Sequence, residues 1–163
     1  NLIIVNSLSK NMGISGWRIG YAISNKLFIK NLLKLNQHIV TCAPSILMNY
    51  LEKYFENILK VTRPQIKTLV KKRDKIKIIL KKNNLKYLPG TSTFYFLVNI
   101  ENYLGTSTDF ALKMLNKHRI AVVPGSAYGD STKRFIRVGV GTESIERIEQ
   151  ALVLISKEIS QKN

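Results

Sequence analysis

Cysteine is almost missing from this chain: Cys42 stands alone among 163 residues. No disulfide can form within the chain, which fits a reducing cytoplasm. Cys42 itself, beside Ala43 and Pro44, is expected as a small buried residue rather than a nucleophile. Histidine is nearly as scarce. His38 and His118 are far from each other and from any carboxylate or cysteine at ligand spacing, so no metal site is expected. Long apolar runs are also lacking. The longest, residues 1–5 and 94–100, are far too short to span a bilayer, and no signal-peptide pattern opens the chain. Ser126 lacks the Gly-x-Ser-x-Gly elbow, which removes that form of hydrolase chemistry. Neither an internal repeat nor a low-complexity segment is present.

Acidic side chains are the other shortage. Ten of them face 26 lysines and arginines, for a formal net charge of +16. Such a balance raises nucleic acid or an acidic membrane surface as a partner. The lysines, however, are spread through helical segments whose other positions are apolar. Lysine, asparagine and isoleucine are abundant together, as in a protein from an AT-rich genome. Solvated surface is therefore favoured over a nucleic-acid patch. A hydrophobic content of 45% supports a packed core. The chain opens at Asn1 on a strand-like segment, and the expectation is a piece of a larger protein whose remainder balances the charge.

What is present reads as follows. Leu2–Val5, short and β-branched, predicts a buried parallel strand, and Trp17–Ile23 a second strand. Ser24 and Asn25 are helix caps, followed by an apolar face of Leu27, Phe28, Leu32 and Leu35 that ends near His38. Pro44 suits a first helical turn, and residues 45–57 form an amphipathic helix. Thr62–Pro64 marks a fresh helix start. Residues 65–83 then carry Ile66, Leu69, Val70, the stem of Arg73, Ile76 and Leu80 inward, with lysines outward. Asn83 and Asn84 are a C-terminal cap. Thr93–Asn99 predicts a strand and Ser107–Lys117 a helix capped by Ser107, with Phe110, Leu112 and Leu115 near its inner face. Ile120–Val123 and Arg134–Val140 predict two more strands, and Thr142 or Ser144 caps a final amphipathic helix. The last third is thus a small α+β layer.

The segment Ser7–Tyr21 (SLSKNMGISGWRIGY) concentrates the chemistry. A lysine at a strand end is surrounded by hydroxyls, glycine turns and a fixed cation. That set suits an amine condensing with an aldehyde beside an anionic group. Gly16 and Gly20 let the backbone turn or come close where a side chain would intrude. The pattern Ser-x-Ser-Lys, a glycine-containing turn, then Gly-x-Arg-x-Gly resembles the cofactor-lysine segment of the class I/II aminotransferases, which are fold type I pyridoxal-phosphate enzymes. A second stretch, Val123–Gly129 (VPGSAYG) followed by Phe135–Thr142 (FIRVGVGT), resembles that family's Pro-Gly-x-x-aromatic-Gly loop and the strand bearing its substrate arginine.

The resemblance implies a fold: the end of an α/β large domain over residues 1–40, then interdomain helices and a small C-terminal α+β domain over residues 45–163. It implies an activity, amino-group transfer between an amino acid and a 2-oxo acid. Lys10 becomes the catalytic residue that carries pyridoxal 5′-phosphate, with Ser7, Ser9 and Arg18 on the phosphate. Arg137, opposite Ile136 and Val138 by strand alternation, becomes the fork for the substrate α-carboxylate. Tyr128 either lines the substrate loop or is a packed aromatic, and Arg134 is surface. A homodimer in the cytoplasm is implied for the full-length protein, with neither nucleic acid nor membrane as partner. The family's pyridine-facing carboxylate, its ring-covering aromatic and its phosphate cradle precede the lysine strand, so none is assigned here. The isolated chain is expected to be inactive, with residues 45–163 folding and residues 1–40 less stable. Two alternatives stay open: another fold type I activity such as a carbon–sulfur lyase, and the aminotransferase-like domain of a DNA-binding regulator.

Overall fold

The structure, a computed structural model, describes residues 2–160. It divides into two compact units, Asn1–Thr68 and Leu69–Asn163.

In the first unit β1 (Ile4–Ser7) and β2 (Gly20–Ile23) form an antiparallel two-stranded ribbon, in register from Ile4 opposite Ile23 to Ser7 opposite Gly20. This corrects the expectation of a buried parallel strand at Leu2–Val5. A short apolar run does not encode the direction of its partner, and a two-stranded ribbon alone has no layer to cover it. Leu2 and Val5 are 70% and 77% exposed. Between the strands lie the short helix α1 (Leu8–Asn11) and a 3₁₀ turn, Ser15–Trp17. Trp17 therefore closes a turn instead of opening the second strand.

Helix α2 (Lys26–Ile39) starts where its cap predicts, because the Asn25 side chain accepts from the Phe28 amide at 2.9 Å. None of its residues is buried among the described residues. Cys42 is exposed as well, against the expectation of a buried thiol.

Helix α3 runs unbroken from Ser45 to Lys82, 38 residues with Pro64 inside. The carbonyl of Pro44 accepts from the Leu47 and Met48 amides, which makes Pro44 the cap. The break expected at Thr62–Pro64 does not occur. Proline in a helix interior removes a hydrogen bond and costs about 3 kcal/mol. Apolar packing holds the helix at both ends, through Leu51 in the first unit and through Ile76 and Leu80 in the second. Each hydroxyl flanking the proline finds a carbonyl one turn back, Thr62 Oγ1 on Ile58 and Thr68 Oγ1 on Pro64.

The first unit's core joins Leu8, Met12 and Ile19 of the motif segment to Leu51 of α3, with Trp17, Leu47 and Ile58 packed around them. Trp17 meets Tyr50 edge-on at 5.5 Å. The chemistry-bearing turn thus sits on the start of α3.

The second unit begins as α3 ends. Asn84 takes the left-handed conformation (φ 54°), and the Leu85 amide donates back to the Leu80 carbonyl at 2.9 Å, a C-terminal cap as expected. Strands β3 (Tyr95–Asn99), β4 (Val123–Pro124) and β5 (Phe135–Gly139) form an antiparallel sheet of order β3-β5-β4. Helices α4 (Ser107–His118) and α5 (Ile145–Ser160) contribute to its core. That core gathers Ile76 and Leu80 of α3, Phe96 and Val98 of β3, Ile136 and Val138 of β5, Phe110 and Met114 of α4, and Ile148, Leu152 and Ile155 of α5.

Local details differ from the sequence reading. Thr106, not Ser107, caps α4, in a reciprocal capping box with Asp109. Phe110, Ala111 and Met114 turn inward while Leu112 and Leu115 are exposed. Ser144 is the cap of α5, accepting from the Arg147 amide at 3.3 Å.

Two arginines stitch loops to this sheet. Arg73, 5% exposed, donates to the carbonyls of Gly90, Tyr95 and Thr93 at 2.9, 2.9 and 3.3 Å and lies 4.1 Å from the Phe96 ring centroid. Arg134, expected at the surface, instead donates to four carbonyls: Ile100, Glu101, Tyr103 and Gly105, at 2.6–3.1 Å. A five-donor guanidinium can satisfy several inward-pointing carbonyls of one loop at once. Alternation along a strand gives no sign of that.

Candidate active site

The lysine segment is positioned by the ribbon. β1 pairs with β2 through Ser7 opposite Gly20, and the Leu8 amide extends the ladder to the Ile19 carbonyl at 3.1 Å. Beyond that pair the chain leaves the ribbon, with Ser9 inside α1 and Arg18 directly after the 3₁₀ turn. The glycine at position 20 is required sterically, since a Cβ there would lie 2.6 Å from the Asn6 carbonyl oxygen. Gly16 has open space around it, so its freedom is not needed for a close approach within the chain.

Ser7 caps α1, its Oγ accepting from the Ser9 amide at 3.2 Å, and Ser9 is buried. Lys10 lies one helical turn beyond the strand end and is exposed. Arg18 is exposed and left-handed (φ 56°), a conformation uncommon outside glycine. One of its N–H groups donates to the Ser15 carbonyl at 3.0 Å, which leaves others of its five donors for a ligand.

The donor set fits an anionic group. Two hydroxyls, an amine and a guanidinium share one ribbon end and its turn, and the first carboxylate side chain in the chain is Glu52. The segment itself offers a phosphate hydroxyl donors and cations and holds no carboxylate. The same fact means that residues 1–51 hold no acidic group to face a pyridine nitrogen.

Arg137 belongs to the second unit. It sits on β5, paired with Leu97 of β3 and Val123 of β4, and is half-buried on the face opposite Ile136 and Val138. Alternation therefore held for this residue. Its guanidinium carbon lies 5.2 Å from the Tyr95 ring centroid and 5.3 Å from that of Tyr128. Tyr128 belongs to the Pro-Gly-x-x-aromatic-Gly loop, whereas Tyr95 lies in neither motif. The available signal was the two-residue spacing of a diagonal neighbour, which needs the register of β3 on β5 before it means anything.

His118 has a structural role. With Lys113 and Lys117 it surrounds Glu158, which is buried: Lys113 reaches Oε2 at 2.7 Å, and Lys117 and His118 reach Oε1 at 2.8 Å. Hydrogen bonds from Lys113 and Lys117, then His118, hold the Glu158 carboxyl down at about 2 against the opposing effect of burial. Among the described residues no cluster of His, Cys, Asp or Glu is arranged to hold a metal ion, and no described helix is long and apolar enough to cross a membrane. A groove lined by Lys77, Lys81, Tyr87 and Pro89 contains none of Ser7, Ser9, Lys10, Arg18 or Arg137.

The lysine-serine-arginine segment and the arginine strand that follows the Pro-Gly loop are the two stretches that resemble the fold type I pyridoxal-phosphate enzymes. The chain belongs to the class I and II aminotransferase family, whose pattern matches residues 1–155. Among curated relatives it is 31% identical to a (5-formylfuran-3-yl)methyl phosphate transaminase of Methanocaldococcus jannaschii, over 92% of this chain and 42% of the relative. It is 30% identical to a probable N-acetyl-LL-diaminopimelate aminotransferase of Bacillus subtilis, over 98% of this chain and 42% of the relative. Among solved structures, an aromatic aminotransferase from Pyrococcus horikoshii superposes with a TM-score of 0.79 at 26% identity, covering 95% of this chain and 42% of that one. A Methanococcus jannaschii protein described as similar in its active site to kynurenine aminotransferases gives 0.79 at 30% identity, covering 97% and 42%. The chain thus spans about two fifths of the length of these relatives.

Proposed function

We propose that this chain supplies the C-terminal part of a pyridoxal-phosphate-dependent aminotransferase, acting on an amino acid and a 2-oxo acid in the cytoplasm, as a homodimer when complete. Residues 1–40 finish its cofactor domain, and residues 45–163 form the interdomain helices and small domain. The observation that carries the reading is the donor set Ser7, Ser9, Lys10 and Arg18 along the β1–β2 connection, a segment with no carboxylate of its own. When bound, pyridoxal phosphate supplies an electron sink for the bond to be broken.

The residues of the chain divide the remaining work. Lys10 holds the cofactor through its amine and, once released, moves a proton to or from the substrate carbon. Ser7 and Ser9 offer hydroxyl donors to the phosphate, and Arg18 a permanent charge beside it. Arg137 binds the substrate α-carboxylate through two parallel N–H groups and so orients the reacting bond.

The test is chemical. The chain is incubated with pyridoxal phosphate, reduced with borohydride and digested, and its peptides are mapped. Label concentrated on Lys10, and lost in Lys10→Ala, is expected; label on a different lysine overturns the assignment. The same chain, given amino acids and 2-oxoglutarate, is expected to form no glutamate above the rate of free pyridoxal phosphate. In the resembled family the carboxylate that keeps the pyridine nitrogen protonated precedes the lysine strand, and residues 1–9 hold none. Glutamate formation that depends on Lys10 would show that expectation wrong.

A further inference from the structure

We propose that Tyr95 and Tyr128 are positioning residues for Arg137, holding its guanidinium so that only its N–H edge meets a carboxylate; this rests on Arg137 being the carboxylate-binding residue. Both rings lie within cation–π range of the guanidinium, their centroids 5.2 and 5.3 Å from its carbon. They reach it from opposite sides of the central strand. Tyr95 stands on β3, and Tyr128 in the turn that follows β4. Among the described residues the guanidinium forms neither an ion pair nor a hydrogen bond. Contact with ring faces consumes no N–H donor, so the planar fork keeps its full bonding capacity. An arginine side chain otherwise has many rotamers to lose when it binds, and pre-ordering removes part of that cost from the binding step.

Each tyrosine is itself fixed by an independent device. Buried Arg73 donates to the Tyr95 carbonyl at 2.9 Å and to Gly90 and Thr93 on the approach to β3. On the other side, Gly125 passes so close to its neighbours that a Cβ would lie 2.0 Å from the Thr132 carbonyl oxygen. Thr132 Oγ1 donates to the Gly125 carbonyl at 2.7 Å, and the Ser126 amide donates to Oγ of Ser107, which is 1% exposed. The loop carrying Tyr128 is thereby pinned to the start of α4. Neither tyrosine hydroxyl enters this account: the ring faces do the holding, so phenylalanine should substitute and an aliphatic residue should not.

The experiment uses the 163-residue chain with ¹⁵N-labelled arginine, its Arg137 Nε–Hε resonance assigned by loss in Arg137→Gln, and 2-oxoglutarate as the probe. Ring currents from two tyrosines should displace that resonance, and titration should move it. Tyr95→Leu and Tyr128→Leu should each reduce the displacement and weaken binding roughly three- to tenfold, as removal of a cation–π face predicts. Tyr95→Phe and Tyr128→Phe should stay within about twofold of the parent. Circular dichroism confirms folding of each variant; Tyr128, 48% exposed, carries the test alone if Tyr95→Leu does not fold. Leucine variants that titrate like the parent would overturn the positioning role and leave the carboxylate reading of Arg137 standing. Binding of 2-oxoglutarate that survives in Arg137→Gln when followed by calorimetry, or a parent chain whose Arg137 resonance ignores 2-oxoglutarate, overturns the carboxylate reading and the proposal with it.

Discussion

Replacing Glu158 by glutamine should destabilise the second unit by about 2 kcal/mol near neutral pH, through loss of one buried charge held by two lysines and a histidine. The carboxylate is 2% exposed and is held by Lys113, Lys117 and His118. Its fall from an ordinary 4.5 to about 2 is worth about 3 kcal/mol of preference for the charged form. Lys117 is 54% exposed, against 24% for Lys113 and 15% for His118, so water screens part of that gain and about 2 kcal/mol is the net expectation. Glutamine keeps the volume and removes the charge. Urea unfolding followed by far-ultraviolet circular dichroism should show a midpoint lower by about 1 M, given a slope of ~1–3 kcal/mol per molar. The pH dependence follows from the direction of the shift. A depressed carboxyl contributes its full stability above the unfolded value of 4.5 and loses it as pH falls through about 2. The gap between parent and Glu158→Gln should therefore close across that window. Equal midpoints at neutral pH, or a gap that persists unchanged at pH about 2, would refute the reasoning.

Other changes test the remaining supports. Gly125→Ala places a Cβ 2.0 Å from the Thr132 carbonyl oxygen and 2.5 Å from that of Phe135; both are backbone, so thermal unfolding should show a loss of about 2 kcal/mol or more. Arg134→Gln leaves the carbonyls of Ile100, Glu101, Tyr103 and Gly105 short of their shared donor. Amide hydrogen exchange over residues 100–106 should accelerate, with about 1–3 kcal/mol lost. If the lysines of α3 are solvated surface, duplex DNA should bind weakly, without sequence preference and with steep salt dependence. Tight, sequence-selective binding at physiological salt, measured by fluorescence anisotropy, would revive the regulator reading.

What the sequence determined by itself was local and periodic. Asn25 and Asn84 marked helix ends because a side-chain acceptor and a left-handed asparagine act within a few residues. The inward face of α5 and the outward placing of Arg137 followed from repeats of 3.6 and 2 residues. Family membership was legible in the lysine and arginine strings, because their residue types stand in order at set spacings. The tertiary structure decided what depends on partners distant in the chain. The apolar run Leu2–Val5 could not announce an antiparallel neighbour 15 or more residues away. Pro64 reads as a breaker until packing at both ends of α3 outweighs one missing hydrogen bond. Arg134 looks like any surface cation until four carbonyls converge on it. Tyr95 gains its meaning only from the register that brings it beside Arg137, because side chains 42 positions apart in sequence meet through backbone pairing and not through any pattern of their own.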